Sequence, residues 1–227
     1  MDDPLLRPVW NMLTGPQSGL AIGGELAVRI DPGYGPFAAM RDRSDEALAA
    51  LAALVVPGEL VWLVEPEEWP MPPGFERTRT AVLVQMVAES PASLQQGDEE
   101  TVLLSGNDAA AMSEIARSTK PGPWGDKTRH YGAFHGIRRD GRLAAMAGER
   151  MRPAVGLAEL SGVCTWPEFR SQGLAARLIR RVMAGFTARG DVPFLHSYAA
   201  NIGANARYET LGFATRREMV VTVPERV

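Results

Sequence analysis

The sequence predicts an α+β fold built on a mixed sheet, and three observations carry that expectation. Strand-like and helix-like patterns alternate after residue 98. Asp140-Gly141, the strongest short hairpin signal, joins two strand-like runs. A strand at 157–165 leads into a helix at 172–188 whose apolar positions form one stripe. At 227 residues and 45% hydrophobic content the chain is long enough to bury a sizeable core.

The first elements are a helix at 45–55, rich in Ala and Leu and capped by Ser44, and a short apolar run at 60–64. A proline-rich loop, EPEEWPMPPGF, and a strand at 81–87 follow. Residues 90–100, SPASLQQGDEE, are polar and aperiodic and read as a linker, which puts a domain boundary near 97. Residues 1–97 then form a smaller α/β domain of unknown role, with room for a degenerate copy of the second domain, 98–227.

In that second domain the pattern predicts a strand at 101–105, a helix at 108–119 capped by Asp108, and a loop at 121–125. Strands at 131–138 and 142–150 flank the hairpin turn, and a strand at 157–165 precedes the helix at 172–188. That helix leaves Arg177, Arg180, Arg181 and Arg189 for its solvated side. A strand at 194–198, a short helix at 204–209 ended by Gly212, and a strand at 216–223 complete the chain.

Composition excludes several classes of function. The single cysteine, Cys164, rules out an internal disulfide framework, and the opening MDDPLLRP lacks the basic and apolar regions of a signal peptide. The longest apolar run, 47–56, is about half of a bilayer span. A cytoplasmic protein with no membrane partner is the expectation. Residues 1–97 hold 6 Lys/Arg against 13 Asp/Glu, a balance of −7, and residues 98–227 hold 18 against 14, a balance of +4. The second half suits an anionic ligand but is far too weakly basic for a nucleic-acid groove. His130 and His135 have no metal-ligand spacing with an acidic residue, and no metal site is expected.

The segment FRSQGLAARL at 169–178 carries the chemistry. A strand, a turn and a helix with glycine in its first turn form an anion site, because the first helical N–H groups have no partner and the dipole adds about half a positive charge. Gly173 would let a phosphate reach those amides. Neither a Rossmann G-x-G-x-x-G nor a Walker G-x-x-x-x-G-K-[ST] is present.

R-S-Q-G-L-A, at Arg170, Ser171, Gln172, Gly173, Leu174 and Ala175, resembles the R/Q-x-x-G-x-G/A pyrophosphate motif of the GNAT acetyltransferase superfamily. NIGANARYETLGF matches that superfamily's N-x-x-A-x-x-x-Y-x-x-x-G-F at Asn201, Ala204, Tyr208, Gly212 and Phe213. Five fixed positions in the expected order make chance agreement rarer than about one in a hundred thousand chains. The resemblance covers residues 98–227 and extends to the glycine N-acyltransferase branch, which also carries an extra domain in front. It departs from the commonest form in having Ala175 where many members have glycine.

This resemblance implies a mostly antiparallel mixed sheet flanked by helices and acetyl-CoA as co-substrate. The backbone of Val163, Cys164 and Thr165 would pair with the pantetheine arm, and the amides of residues 170–175 would hold the pyrophosphate. Glu159, on the strand before the loop, matches the family's glutamate base, and Tyr208 its tyrosine acid beside the sulfur. Asn201 and Asn205 would cap a helix or bond the arm. Trp124, Tyr131 and Phe134 fall where the family forms its acceptor pocket, and His196 is placed for a proton relay. A covalent role for Cys164 is not needed by direct transfer. The expected function is direct acetyl transfer to an amine of a small molecule or amino acid, by a monomer or homodimer. The alternatives are a non-catalytic acyl-CoA-binding or regulatory module and an acetyltransferase acting on protein amines.

Overall fold

Pro8, whose missing N–H is no loss in a first helical turn, opens α1 (Pro8–Thr14). The computed structural model describes residues 3–227. Three short strands, β1 (Ala21–Gly23), β2 (Ala27–Ile30) and β3 (Ala38–Met40), form a small antiparallel sheet. Then comes α2 (Asp45–Leu54), where the Ser44 hydroxyl accepts the Ala47 N–H at 3.3 Å as the sequence predicts. The remaining elements are β4 (Leu63–Glu65), β5 (Phe75–Val87), β6 (Val102–Leu103), α3 (Ala109–Thr119), β7 (Phe134–Arg139), β8 (Arg142–Glu149), β9 (Leu157–Thr165), α4 (Leu174–Ala188), β10 (Val192–Tyr198), α5 (Ile202–Glu209) and β11 (Ala214–Arg226).

Strands β4 to β11 make one eight-stranded sheet in the order β4-β11-β5-β10-β9-β8-β7-β6. Every pairing in it is antiparallel except β9 with β10. This is the mixed, mostly antiparallel sheet expected from the sequence. Its two faces bury separate cores, because neighbouring residues of a strand point to opposite sides. Leu195 joins the core under α4, with Leu178, Ile179, Met183 and Phe186. Phe194 joins the other, with Leu5, Val9, Phe37 and Met219.

The sheet runs straight across residue 97. Strand β5 lies between β11 and β10, paired to both, and β4 pairs with β11. The second core likewise mixes Leu5, Val9 and Ile30 with Tyr131, Met151 and Val221. The two segments therefore share a sheet and a core, and the polar stretch at 90–100 is a tether along that shared body. Asp98 in it is 1% exposed and grips Arg180 through two hydrogen bonds of 2.7 Å. Arg180 is thus buried rather than solvated, while Arg177 pairs with Glu100 and Arg181 donates to the Thr101 hydroxyl. Hydrophobic periodicity assigns those positions to water because it sees only one helix at a time.

Two strands are shorter than expected. Only Val102–Leu103 of 101–105 pairs, and β7 starts at Phe134 because a 3₁₀ turn occupies Thr128–His130. Among the described residues, no helix is long and apolar enough to cross a membrane.

Candidate active site

Parallel pairing of β9 with β10 stops after three residues, Leu157–Glu159 against Val192–Phe194. Beyond it β10 continues only on β5 and β9 only on β8, so the two strands part. At the same place β9 carries an extra residue between the pairs Met146↔Cys164 and Gly148↔Ser161, a bulge in which Gly162 has φ 62°. The gap opens a cavity of about 340 Å³. One end is lined by Val163, Ala175, Ile179, Asn201, Ala204 and Tyr208, the other by Phe37, Trp62, Leu83, Arg150, His196 and Tyr198. Splaying leaves main-chain groups of β9 without a strand partner, an edge on which an extended ligand can add itself.

Past β9 the chain makes a 3₁₀ turn, Pro167–Phe169, then enters α4 through two left-handed residues, Ser171 (φ 62°) and Gly173 (φ 74°). The first bond into the helix is Arg177 N–H to the Gly173 carbonyl at 3.2 Å, and among the described residues no protein acceptor takes the amides of 171–176. Consecutive unpaired donors in such a bend form a concave anion site. A Cβ at Gly173 would meet nothing within 4 Å, so the protein itself requires glycine there for its positive φ, while the space above the loop stays open. A second cavity of about 250 Å³, lined by Thr119, Val163, Cys164, Thr165, Arg170 and Ala175, links this loop to the main one. The loop, the link and the split strands make one continuous path with room for a long ligand that is anionic at the loop end.

Glu159 is fully buried and does not line the cavity. Arg150 grips it with Nε and Nη2, both at 2.8 Å, the Met151 N–H reaches it at 3.3 Å, and His196 Nδ1 lies 2.8 Å from Oε1. Burial pushes its carboxyl pKa up, but the Arg150 charge and these hydrogen bonds win and hold it at about 2. A carboxylate this occupied is no proton acceptor for an amine. Its contacts instead hold Arg150 and His196 in place. Gln85 Nε2 sits 3.0 Å from His196 Nε2 and 2.9 Å from the Leu5 carbonyl. An imidazole with its proton on Nδ1 satisfies this whole chain of contacts. Both ring nitrogens are then engaged, which does not suit a proton relay.

Tyr208 is placed differently from Glu159. It lines the cavity and packs edge-on to Phe213 with ring centres 5.9 Å apart. Burial pushes its pKa up to about 12, which keeps the proton on the oxygen. Asn201 begins α5 but its side chain caps nothing and lines the cavity. Asn205 is different: its amide donates to the Tyr198 and Ala199 carbonyls at 3.2 and 3.4 Å and fixes the exit of β10, while its buried Oδ1 has no protein partner. The Cys164 thiol is buried and pushed up to about 12, unsuited to nucleophilic attack.

The three aromatic residues expected at the acceptor pocket lie elsewhere. Trp124 packs edge-on to Phe134 at 5.5 Å and donates its indole N–H to Ser113, and Phe134 is 3% exposed. Tyr131 is in the core against Tyr34, its pKa raised by burial. The cavity takes its aromatic wall from Phe37, Trp62 and Tyr198. Two of these come from the first 97 residues, and no local pattern marks them. Among the described residues, no group of three His, Cys, Asp or Glu is placed to hold a metal ion.

The family model described as FR47-like protein matches residues 134–221. A solved structure of a GNAT-family acetyltransferase from Novosphingobium aromaticivorans DSM 12444 is 52% identical, with all of both chains covered and a TM-score of 0.93. A GCN5-related N-acetyltransferase from Kribbella flavida shares the fold at 19% identity, with 91% of this chain and 88% of that chain covered and a TM-score of 0.61. A GCN5-related N-acetyltransferase-like protein from Streptococcus suis 89/1591 does so at 15% identity, with 94% and 91% covered and a TM-score of 0.59. A search of functionally curated proteins finds no match.

Proposed function

The chain belongs to the GNAT family of acetyltransferases, and from that premise we propose that it transfers an acetyl group directly from acetyl-CoA to an amine of a small molecule or amino acid. One observation carries the reading: a tyrosine that keeps its proton lines a cavity reached from a loop of unpaired amides. Acetyl-CoA supplies an acetyl group activated as a thioester.

The amides of 171–175 hold the diphosphate, with Arg170, which lines the linking cavity, adding charge beside them. The backbone at Val163, Cys164 and Thr165 pairs with the pantetheine arm, and Asn201 bonds it from the other side. As the amine nitrogen bonds to the acetyl carbon and the carbon–sulfur bond breaks, Tyr208 delivers its proton to the departing sulfur. Handing a proton from a phenol held at about 12 to a thiolate of ordinary pKa near 8.5 is uphill, so the delivery is concerted with carbon–sulfur bond breaking, and the proton that the amine nitrogen loses on forming the amide goes to solvent, which returns one to the Tyr208 oxygen.

With Glu159 occupied, and no Asp or Glu among the described lining residues, the site suits an amine that loses its proton easily. Neutralising an α-amine at pH 7 costs about 1.4 kcal/mol, an ε-amine about 4.6 kcal/mol. That difference favours an α-amino group, in keeping with the resemblance to glycine N-acyltransferases. The test is a screen of amines and amino acids with acetyl-CoA, reading released thiol. Thiol release that depends on one class of amine supports the reading. Tight acetyl-CoA binding with no release for any amine would replace it by a non-catalytic acyl-CoA-binding module.

A further inference from the structure

The acceptor end of the cavity specifies more than an amine. Arg150 spends Nε–H and one Nη2–H on Glu159, at 2.8 Å each, and no protein acceptor takes Nη1 among the described residues. The end-on face of the guanidinium, Nη1 with the second Nη2–H, is therefore free, and Arg150 lines the cavity. Nη1 points toward the 121–123 loop, where a Cβ on Gly122 would lie 3.6 Å from it. Glu159 and the ring of Phe37, 4.9 Å below the guanidinium, hold this fork in place. A fixed fork with two parallel donors is the partner of a carboxylate.

Its surroundings are cationic and apolar. Lys120, next to the 121–123 loop, also lines the cavity, and no described lining side chain is acidic. An amine without a negative group meets only like charge there. Phe37 and Trp62, edge-on at 6.2 Å, form a wall beside the fork. Resting on the acetyl-transfer reading above, we infer that the acceptor is an amino acid with an apolar side chain, its carboxylate on the free face of Arg150 and its side chain against Phe37 and Trp62.

A binding measurement tests this without needing turnover. Calorimetric titration of the whole protein with N-acetyl-L-phenylalanine and with N-acetylphenethylamine compares ligands that differ only in the carboxylate. The expected result is about 10- to 100-fold tighter binding of the first. Equal affinity, or no binding of either, overturns the inference. Arg150→Met combined with Glu159→Gln removes both buried charges together and should bring the ratio close to one in a protein that still folds. Should that variant not fold, Trp62→Ala should retain the carboxylate preference and lose at least several-fold in affinity for N-acetyl-L-phenylalanine relative to N-acetylglycine. An unchanged ratio between those two ligands overturns the apolar wall. Thiol release with phenylalanine and phenethylamine separates the two readings. Release with both at equal efficiency removes the carboxylate requirement and leaves acetyl transfer standing. Release with neither, while N-acetyl-L-phenylalanine binds preferentially, removes acetyl transfer and leaves the subsite.

Discussion

The two ends of the cavity are built in opposite ways. The end that suits the diphosphate and pantetheine comes from one stretch, β9 through α5, and works mainly with main-chain groups. The acceptor end collects side chains from residue 37 to residue 198, from β5 and β10 and from positions flanking β3, β4 and β8. Main-chain recognition needs a backbone shape, which a few residues encode locally. Side-chain recognition needs a three-dimensional assembly. The first is therefore suited to a ligand that every such enzyme shares, the second to one that differs between enzymes.

The largest effect should come from breaking the ion pair under the acceptor end. Arg150→Ala leaves Glu159 buried without its cation, and denaturant unfolding should show a loss of about 3–5 kcal/mol. The same pair sets acid sensitivity. The folded carboxyl of Glu159 lies at about 2, below its unfolded value, so its contribution is present above pH 4.5 and fades as the pH falls toward 2. Unfolding titrations between pH 5 and 3 should accordingly show a shallower pH slope in Glu159→Gln than in the natural protein.

Next in size is Tyr208→Phe, which should lower kcat roughly 100-fold with little change in acetyl-CoA affinity. Steady-state kinetics and a binding titration decide it, and unchanged turnover removes the proton-donor role. Gly173→Val should weaken acetyl-CoA binding about tenfold. A β-branched residue is strained at φ 74°, and its side chain enters the open space over the amides. Affinity equal to that of the natural protein would show that this loop is not the anion site.

The smallest effect sharpens the contrast between capping and ligand contact. Asn201→Ala should leave unfolding stability within about 0.5 kcal/mol, because no cap hydrogen bond exists to lose. A loss near 1 kcal/mol, the ordinary worth of an N-cap, would mean the asparagine caps α5 in solution.

Where the sequence misled, the cause lies in distance along the chain. Arg180 looks solvated on its helix, yet Asp98, far earlier in sequence, covers it. Glu159 has the right place for a base, but Arg150 and His196 meet it only after β8, β9 and β10 assemble. The stretch at 90–100 has a linker's composition, and nothing local reveals that β5 before it fills the sheet between β10 and β11.

Helices α2 and α4, the hairpin at Asp140-Gly141, the turn through Gly173 and the order of elements after residue 98 were set by the sequence itself, because capping, periodicity and positive φ act within a few residues. Tertiary structure alone decided the partners of Glu159, the burial of Arg180 and the joining of Phe37 and Trp62 to Arg150. Those contacts depend on which strands lie side by side, and pairing between strands distant in sequence leaves no local mark on either of them.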